Sequence, residues 1–328
     1  MQRLKQLTRP SLFFALTAIA LALICWGYVR QGLSDADADT ADLIVNELRI
    51  PRMICAMGVG ALLSIAGAIM QGLFRNPLVE PYTMGISGGA VVGVAVVFSC
   101  GAVAAFGGMT VTLGAAIGGL LSMVIVLLVR RAVGYDTSVM LICGIMVSFI
   151  ASAATTLMLS LATHEDMSQI LSWTIGSFSS ADPQMAWLAM LSGAIATIAS
   201  PLAGNLLNVM SLGDSEARTL GVDTRRASGW LFSIATILSA IAVATAGIVA
   251  FVGMAVPHLV RTLIGQDNRL VLPASGLMGA LLLLACDFVA KVVIYPRELP
   301  AGAICAILGG LMFVYMALKS GNKGSIQF

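Results

Sequence analysis

The chain has 328 residues, of which 59% are hydrophobic and only 10% charged, with a formal net charge of +2 and a mean hydropathy of +0.96. Soluble domains carry about 25% charged residues, and no soluble fold of this size hides so much apolar surface. A soluble domain is thereby excluded, and the chain reads as an all-α polytopic membrane protein, a single transmembrane domain over 1–328 with no nucleic-acid partner expected.

The first apolar run, 11–30, follows Arg3, Lys5 and Arg9 and has the charge pattern of a signal peptide. Cys25-Trp26-Gly27-Tyr28 is a poor small-residue cleavage site, so the run reads as an uncleaved span. An acidic loop (Asp35, Asp37, Asp39, Asp42) separates it from 52–74. A polar, proline-punctuated stretch with Asn76, Pro77, Glu80 and Pro81 comes next. Hydrocarbon tolerates irregular backbone only where protein or a water-filled cavity covers it. That stretch therefore lies outside the bilayer or lines a path through it.

Further runs at 83–100, 109–130, 138–161, 185–205, 228–247, 249–264, 270–290 and 300–319 bring the expected spans to ten, since a crossing needs about 20 apolar residues. The region 227–264 is barely long enough for two crossings. Charge decides for two: Arg225 and Arg226 precede it, Arg261 and Arg269 follow it, and two crossings leave both pairs on one side. With the N-terminus inside, the cytoplasmic ends hold Arg3, Lys5, Arg9, Arg75, Arg130, Arg131, Arg218, Arg225, Arg226, Arg261, Arg269, Lys319 and Lys323. The outer ends hold Arg30, Arg49, Arg52, Lys291 and Arg297. Thirteen against five obeys the positive-inside rule. An even span count puts both termini in the cytoplasm, and the Asn76–Glu80 stretch at the cytoplasmic end.

Several side chains bear on function. No G-x-x-x-x-G-K-[ST] phosphate loop is present, so the chain does not hydrolyse ATP in that way. Asp287 and Lys291, one helical turn apart, have the spacing of a self-neutralising pair rather than of a proton relay. With neither motor nor relay visible, energy is expected from a partner. The cytoplasmic loop 206–227 contains a short helix over 212–220. Ser211 and Asp214 resemble a capping box, Asp214 and Arg218 lie at i,i+4, and Gly221 stands where a glycine would stop the helix. Leu212, Ala217 and Leu220 mark its apolar positions. Two readings stand side by side: a helix resting on the bilayer, or a knob fitting a groove in a soluble subunit. Arg49 and Arg52 share one helical face, either as snorkelling anchors or as a basic patch for an acidic partner. Gly85, Gly89 and Gly93, like Gly114 and Gly118, recur every four residues, as close helix packing requires. His258, His164 and the six cysteines read as packing, capping or loop residues rather than metal ligands.

Several longer motifs carry a resemblance over nearly the whole chain: RIPR at 49–52, GAIMQGLFRNPLVEPYTMGISGGA at 67–90, DTSVMLICGI at 136–145, SLGDSEARTLGV at 211–222, GIVAFVGMAVPHLVR at 247–261 and ELPAGAICAILGG at 298–310. The chain resembles the permease subunit of bacterial ABC importers for iron–siderophores, haem and vitamin B12, the FecCD or BtuC-like family. The resemblance implies ten helices in the bacterial inner membrane and a homodimer with its substrate path at the dimer interface. It also implies two ATPase subunits below, which use ATP and magnesium, and a periplasmic or lipid-anchored substrate-binding protein above; this chain itself holds no cofactor or metal. By the same resemblance, Asn76 and Leu78 form one half of a cytoplasmic gate and Thr137 and Ser138 the other. The segment Leu212, Gly213, Asp214, Glu216, Ala217, Arg218, Leu220 and Gly221 seats on the ATPase. Arg49, Arg52 and Lys291 match the positions that hold acidic residues of the binding protein, although lysine lacks the bidentate fork of the arginine some relatives carry there. The expected cargo is an iron–siderophore, with haem or cobalamin the alternative. An ion-coupled secondary transporter and a lipid enzyme are the rivals of other classes; the second lacks the cluster of acids or histidines it would need.

Overall fold

The structure, a computed structural model, describes residues 2–31, 38–133, 137–179, 181–294 and 297–321. Regular structure among them is helical throughout: α1 (Gln2–Arg30), α2 (Ala38–Leu43), α3 (Ile50–Phe74), α4 (Ile86–Ser99), α5 (Ala102–Phe106), α6 (Met109–Val133), α7 (Thr137–Leu161), α8 (His164–Thr174), α9 (Pro183–Met210), α10 (Asp214–Thr219), α11 (Thr224–Ala246), α12 (Val252–Ile264), α13 (Asn268–Val292) and α14 (Ala301–Gly321). A wide π-type turn, Ile44–Arg49, joins α2 to α3, and a 3₁₀ turn, Pro81–Met84, precedes α4.

α3 is the axis of the molecule. It is apolar all round, and a helix of that kind is stable only when surrounded; it packs against α9, α11, α12 and α13. Its glycines let those backbones approach. A Cβ at Gly60 would lie 2.2 Å from the Gly279 carbonyl oxygen of α13, and one at Gly67 1.9 Å from that of Gly253 in α12. The repeats Gly89/Gly93 and Gly114/Gly118 face each other between α4 and α6 with the same closeness, as the small-residue spacing predicts. Gly85 does not belong to that seam. It is left-handed (φ 84°), caps α4 and meets Val147 of α7.

Among the described residues, seven helices are long and apolar enough to cross a membrane: α1, the α2–α3 run, α6, α7, α9, α11 and α13. Three shorter apolar segments, in α4, α12 and the first part of α14, stand at the other expected spans. α11 has 23 residues and makes a full crossing of about 35 Å. α4 and α12, with 14 and 13 residues, rise only about 20 Å each, less than a hydrocarbon core of about 30 Å. Each is completed by irregular chain: 75–85 ahead of α4 and 247–251 ahead of α12. The observed helices otherwise exceed the expected spans by a few residues, because polar caps extend them beyond the apolar run: Asp182, Asp223 and Asp267 accept backbone N–H groups at the starts of α9, α11 and α13. α8 was not legible as a separate element. It is a short surface helix capped by Thr163, whose hydroxyl accepts from Asp166 N–H at 3.2 Å.

Candidate functional site at the two membrane faces

The outer face is organised around a buried carboxylate. Asp287 of α13 is fully buried. Its oxygens receive Arg52 Nε and Nη2 at 2.9 Å each and the Tyr28 hydroxyl at 2.6 Å. Arg52 also gives Nη1 to Glu298 at 2.5 Å. Lys291 sits over the Tyr28 ring, its Nζ 4.8 Å from the centroid. Arg49 gives Nη1 to the Val29 carbonyl at 2.7 Å, capping the end of α1. Two expectations change. Asp287 does not neutralise Lys291 one turn away; its partner is Arg52, whose planar fork matches a carboxylate where an ammonium does not. Arg49 and Arg52 are only 8% and 7% exposed, so they form no open patch. Lys291 is partly exposed beside this cluster, and Arg297, next in the chain to Glu298, is exposed.

At the cytoplasmic face the chain turns at Arg75, left-handed at φ 49°. Asn76 begins a tight turn: its side chain accepts Leu78 N–H at 2.9 Å and its carbonyl accepts Val79 N–H at 3.3 Å. Asparagine first and proline second is the composition such a turn favours. Leu78 is left exposed at the tip. Thr137 opens α7, though its side chain lies outside the described residues, and Ser138 beside it is exposed. The loop meets α7 two to three turns deeper, where Ser148 donates to the Thr83 carbonyl at 3.1 Å and Met84 fills the space beside Gly144.

From there the loop departs from expectation. Glu80 and Pro81 line a small cavity with Leu63, which lies 11 residues, about 16 Å, above the end of α3. Only the first part of the loop is thus cytoplasmic; the rest climbs into the protein-covered interior. Glu80 is buried and accepts the backbone N–H of Phe251 at 3.1 Å. Phe251 is itself left-handed (φ 68°) and stands at the break before α12. The two irregular segments therefore meet, carboxylate to helix start. Gln71 supports the same break. Pro257 inside α12 has no N–H for the Gly253 carbonyl, and Gln71 Nε2 supplies one at 3.2 Å, with the Met254 carbonyl at 3.0 Å.

The cytoplasmic helix α10 spans Asp214–Thr219, shorter than expected. Its start is Gly213 (φ 129°), not a capping box: the Ser211 hydroxyl turns back to the Asn208 carbonyl at 2.7 Å. Its end is as expected, with Gly221 left-handed and Val222 N–H bonded to the Ala217 carbonyl at 3.0 Å. Leu212 and Leu220 are exposed, whereas Ala217 is buried beneath the helix. Asp214 and Arg218 do not pair. Arg218 gives Nε to Thr224, and Asp214 takes Arg75 Nη2 at 2.6 Å. Arg75 also holds the Met210 carbonyl at 2.8 Å. One side chain thus joins the end of α3, the end of α9 and α10. Beside it, Asn208 clasps α9 to α13 through Asn268 and Asp267. The Arg269 side chain holds the Asp267 carboxyl down at about 2.

The chain as a whole has counterparts among known proteins. Residues 10–319 match the model of the FecCD transport family. The chain belongs to that family. It is 32% identical over 97% of its length to the hemin transport system permease protein HmuU of Yersinia pestis, covering 98% of that protein. It is 33% identical to the vitamin B12 import system permease protein BtuC of Salmonella paratyphi A, with 94% of each chain covered. A solved chain of a metal-chelate type ABC transporter in an inward-facing conformation superposes with a TM-score of 0.86 at 26% identity, over 94% of this chain and 99% of that one. PsaBC from Streptococcus pneumoniae shares the fold at a TM-score of 0.58 and 19% identity, over 85% of this chain and 94% of that one. This FecCD-family protein is accordingly an ABC transporter permease subunit, a membrane transport component built on the BtuC-like all-α fold.

Proposed function

We propose that this FecCD-family permease imports a metal chelate across the bacterial inner membrane as a homodimer, driven by two ATPase subunits bound at α10. The cargo is an iron–siderophore in the first reading. Haem or cobalamin is the second, favoured by the likeness to a hemin and a vitamin B12 permease. The observation that carries the proposal is the Arg75 joint, because it connects the exposed knob at α10 directly to the Asn76-Pro77-Leu78 turn. A push on Leu212 and Leu220 from below is transmitted to the turn whose Leu78 plugs the exit. Asn76 and Leu78, with Thr137 and Ser138 at the start of α7, form the gate of each subunit. ATP and magnesium stay with the partner.

A substrate-binding protein docks above. Because Arg52 is engaged with Asp287 and Glu298, the side chains left to receive its acidic rim are Lys291 and Arg297, with Arg49 fixing α1 beneath them. Lys291→Glu with Arg297→Glu abolishes uptake while the ATPase still assembles; unchanged uptake would refute the docking assignment. The decisive experiment uses vesicles holding the permease alone, or with its ATPase and binding protein, and labelled ferric siderophore, haem and cobalamin. Uptake of one chelate only in the complete system with ATP is expected. Uptake by the permease alone under an ion gradient would overturn the proposal in favour of a secondary transporter.

A further inference from the structure

The cytoplasmic end of α6 carries a feature that coupling and gating leave unused. Val124, Leu127, Leu128 and Arg131 lie at i, i+3, i+4 and i+7, on one face of the helix. With Arg130 they line a groove of about 330 Å³. Val124 and Leu128 are exposed on a helix that crosses the membrane, so the groove opens towards hydrocarbon. Its floor is cationic and held in place. Arg130 is buried and gives Nη2 to the Arg225 carbonyl at 3.0 Å and to the Ser228 hydroxyl at 2.5 Å. Arg225 and Arg226 stand alongside on the first turn of α11. Arg226 pairs with Asp223 at 3.2 Å.

Trp230, one turn beyond Arg226, is 71% exposed. An indole in that position marks the headgroup level, which places the guanidinium groups among lipid phosphates. From Val124 to Arg131 the helix rises about 10 Å, the length of the upper part of an acyl chain.

We infer that the groove at the cytoplasmic end of α6 binds an anionic phospholipid, its phosphate on the exposed Arg131 in the field of the buried Arg130, and one acyl chain along Val124, Leu127 and Leu128. Guanidinium groups hold phosphate bidentately, and basic pockets between helices on the cytoplasmic side recognise anionic headgroups. An acidic protein partner would meet the arginines but leave the apolar groove empty, so a lipid is the occupant that fits both halves.

The test is native mass spectrometry of the full chain in detergent with phosphatidylglycerol or phosphatidylcholine added. Retention of phosphatidylglycerol at least tenfold above phosphatidylcholine is expected. Arg131→Gln/Arg225→Gln should reduce that preference about tenfold or more, with an unchanged melting temperature in lipid-free detergent. Leu128→Trp, which fills the groove and leaves the charges, should lower retention of the lipid as well. Equal retention of the two lipids would overturn the inference. So would a double variant that keeps its lipid preference and loses ATPase binding instead, because the arginines would then serve a protein.

Discussion

The two membrane faces use the same chemistry, an arginine held by an aspartate, in opposite settings. Arg52 and Asp287 are buried among α1, α3 and α13, bidentate, and reinforced by Tyr28 and Glu298. Arg75 and Asp214 are nearly half exposed, joined by a single contact, and placed where two loops and a short helix meet. A buried pair loses much when one partner goes, because the remaining charge cannot regain water. An exposed pair contributes up to about 1 kcal/mol. The outer pair is therefore suited to a fixed platform, and the inner pair to a contact that is remade as the molecule moves.

The sharpest break of this comparison is Asp287→Asn. It removes the buried counter-charge of Arg52 and leaves only the part-exposed Glu298, at a cost of up to about 3–5 kcal/mol. Thermal unfolding in detergent should fall steeply, and Arg52→Gln/Asp287→Asn should recover most of the loss by removing the stranded charge. A single variant as stable as the parent would show that the outer cluster is no platform. Next comes Glu80→Ala, which leaves the Phe251 N–H buried without its acceptor at a cost of about 1–3 kcal/mol. Glu80→Gln keeps an acceptor oxygen and should lose less. Equal losses in the two variants would mean that the carboxylate does not hold the break before α12.

The sequence made some of this architecture legible and hid the rest for a physical reason. Apolar run length and arginine placement sufficed for the helix order, and four-residue glycine spacing for the α4–α6 seam, because these signals are local. The stop at Gly221 was local too. Partners distant in the chain were not readable. Arg52 and Asp287 are 235 residues apart, and within one turn of Asp287 the only cation was Lys291, so the local rule chose the wrong partner. Glu80 and Phe251 are 171 apart. Some signals were present: a glutamine at 71 inside an otherwise apolar run needs a polar partner, and Pro257 leaves a carbonyl in want of a donor. Matching the two required the fold. The Ser211–Asp214 capping pattern failed because α9 runs on to Met210 and absorbs Ser211 into its own end.

Arg75→Gln and Asp214→Asn probe the inner pair. Each should shift stability by less than about 1 kcal/mol, yet transport per ATP hydrolysed should fall severalfold, because the knob no longer pulls on the turn at Asn76. A double-mutant cycle on that ratio should show the two changes to be non-additive. Additive effects would separate the knob from the gate and remove the ground for the proposed coupling route.

The smallest effect on the fold is expected at Leu212→Asp. Leu212 is 62% exposed, so stability should stay within about 0.5 kcal/mol of the parent. The consequence lies wholly in association: an aspartate in the apolar contact weakens binding of the ATPase, and pull-down of the ATPase by the permease falls while the permease alone melts unchanged. If α10 instead rests on the bilayer, the same substitution leaves ATPase binding intact and loosens only the helix itself. Amide exchange confined to 214–219 would then rise with coupling preserved, and the inner pair would have to be read as an anchor like the outer one.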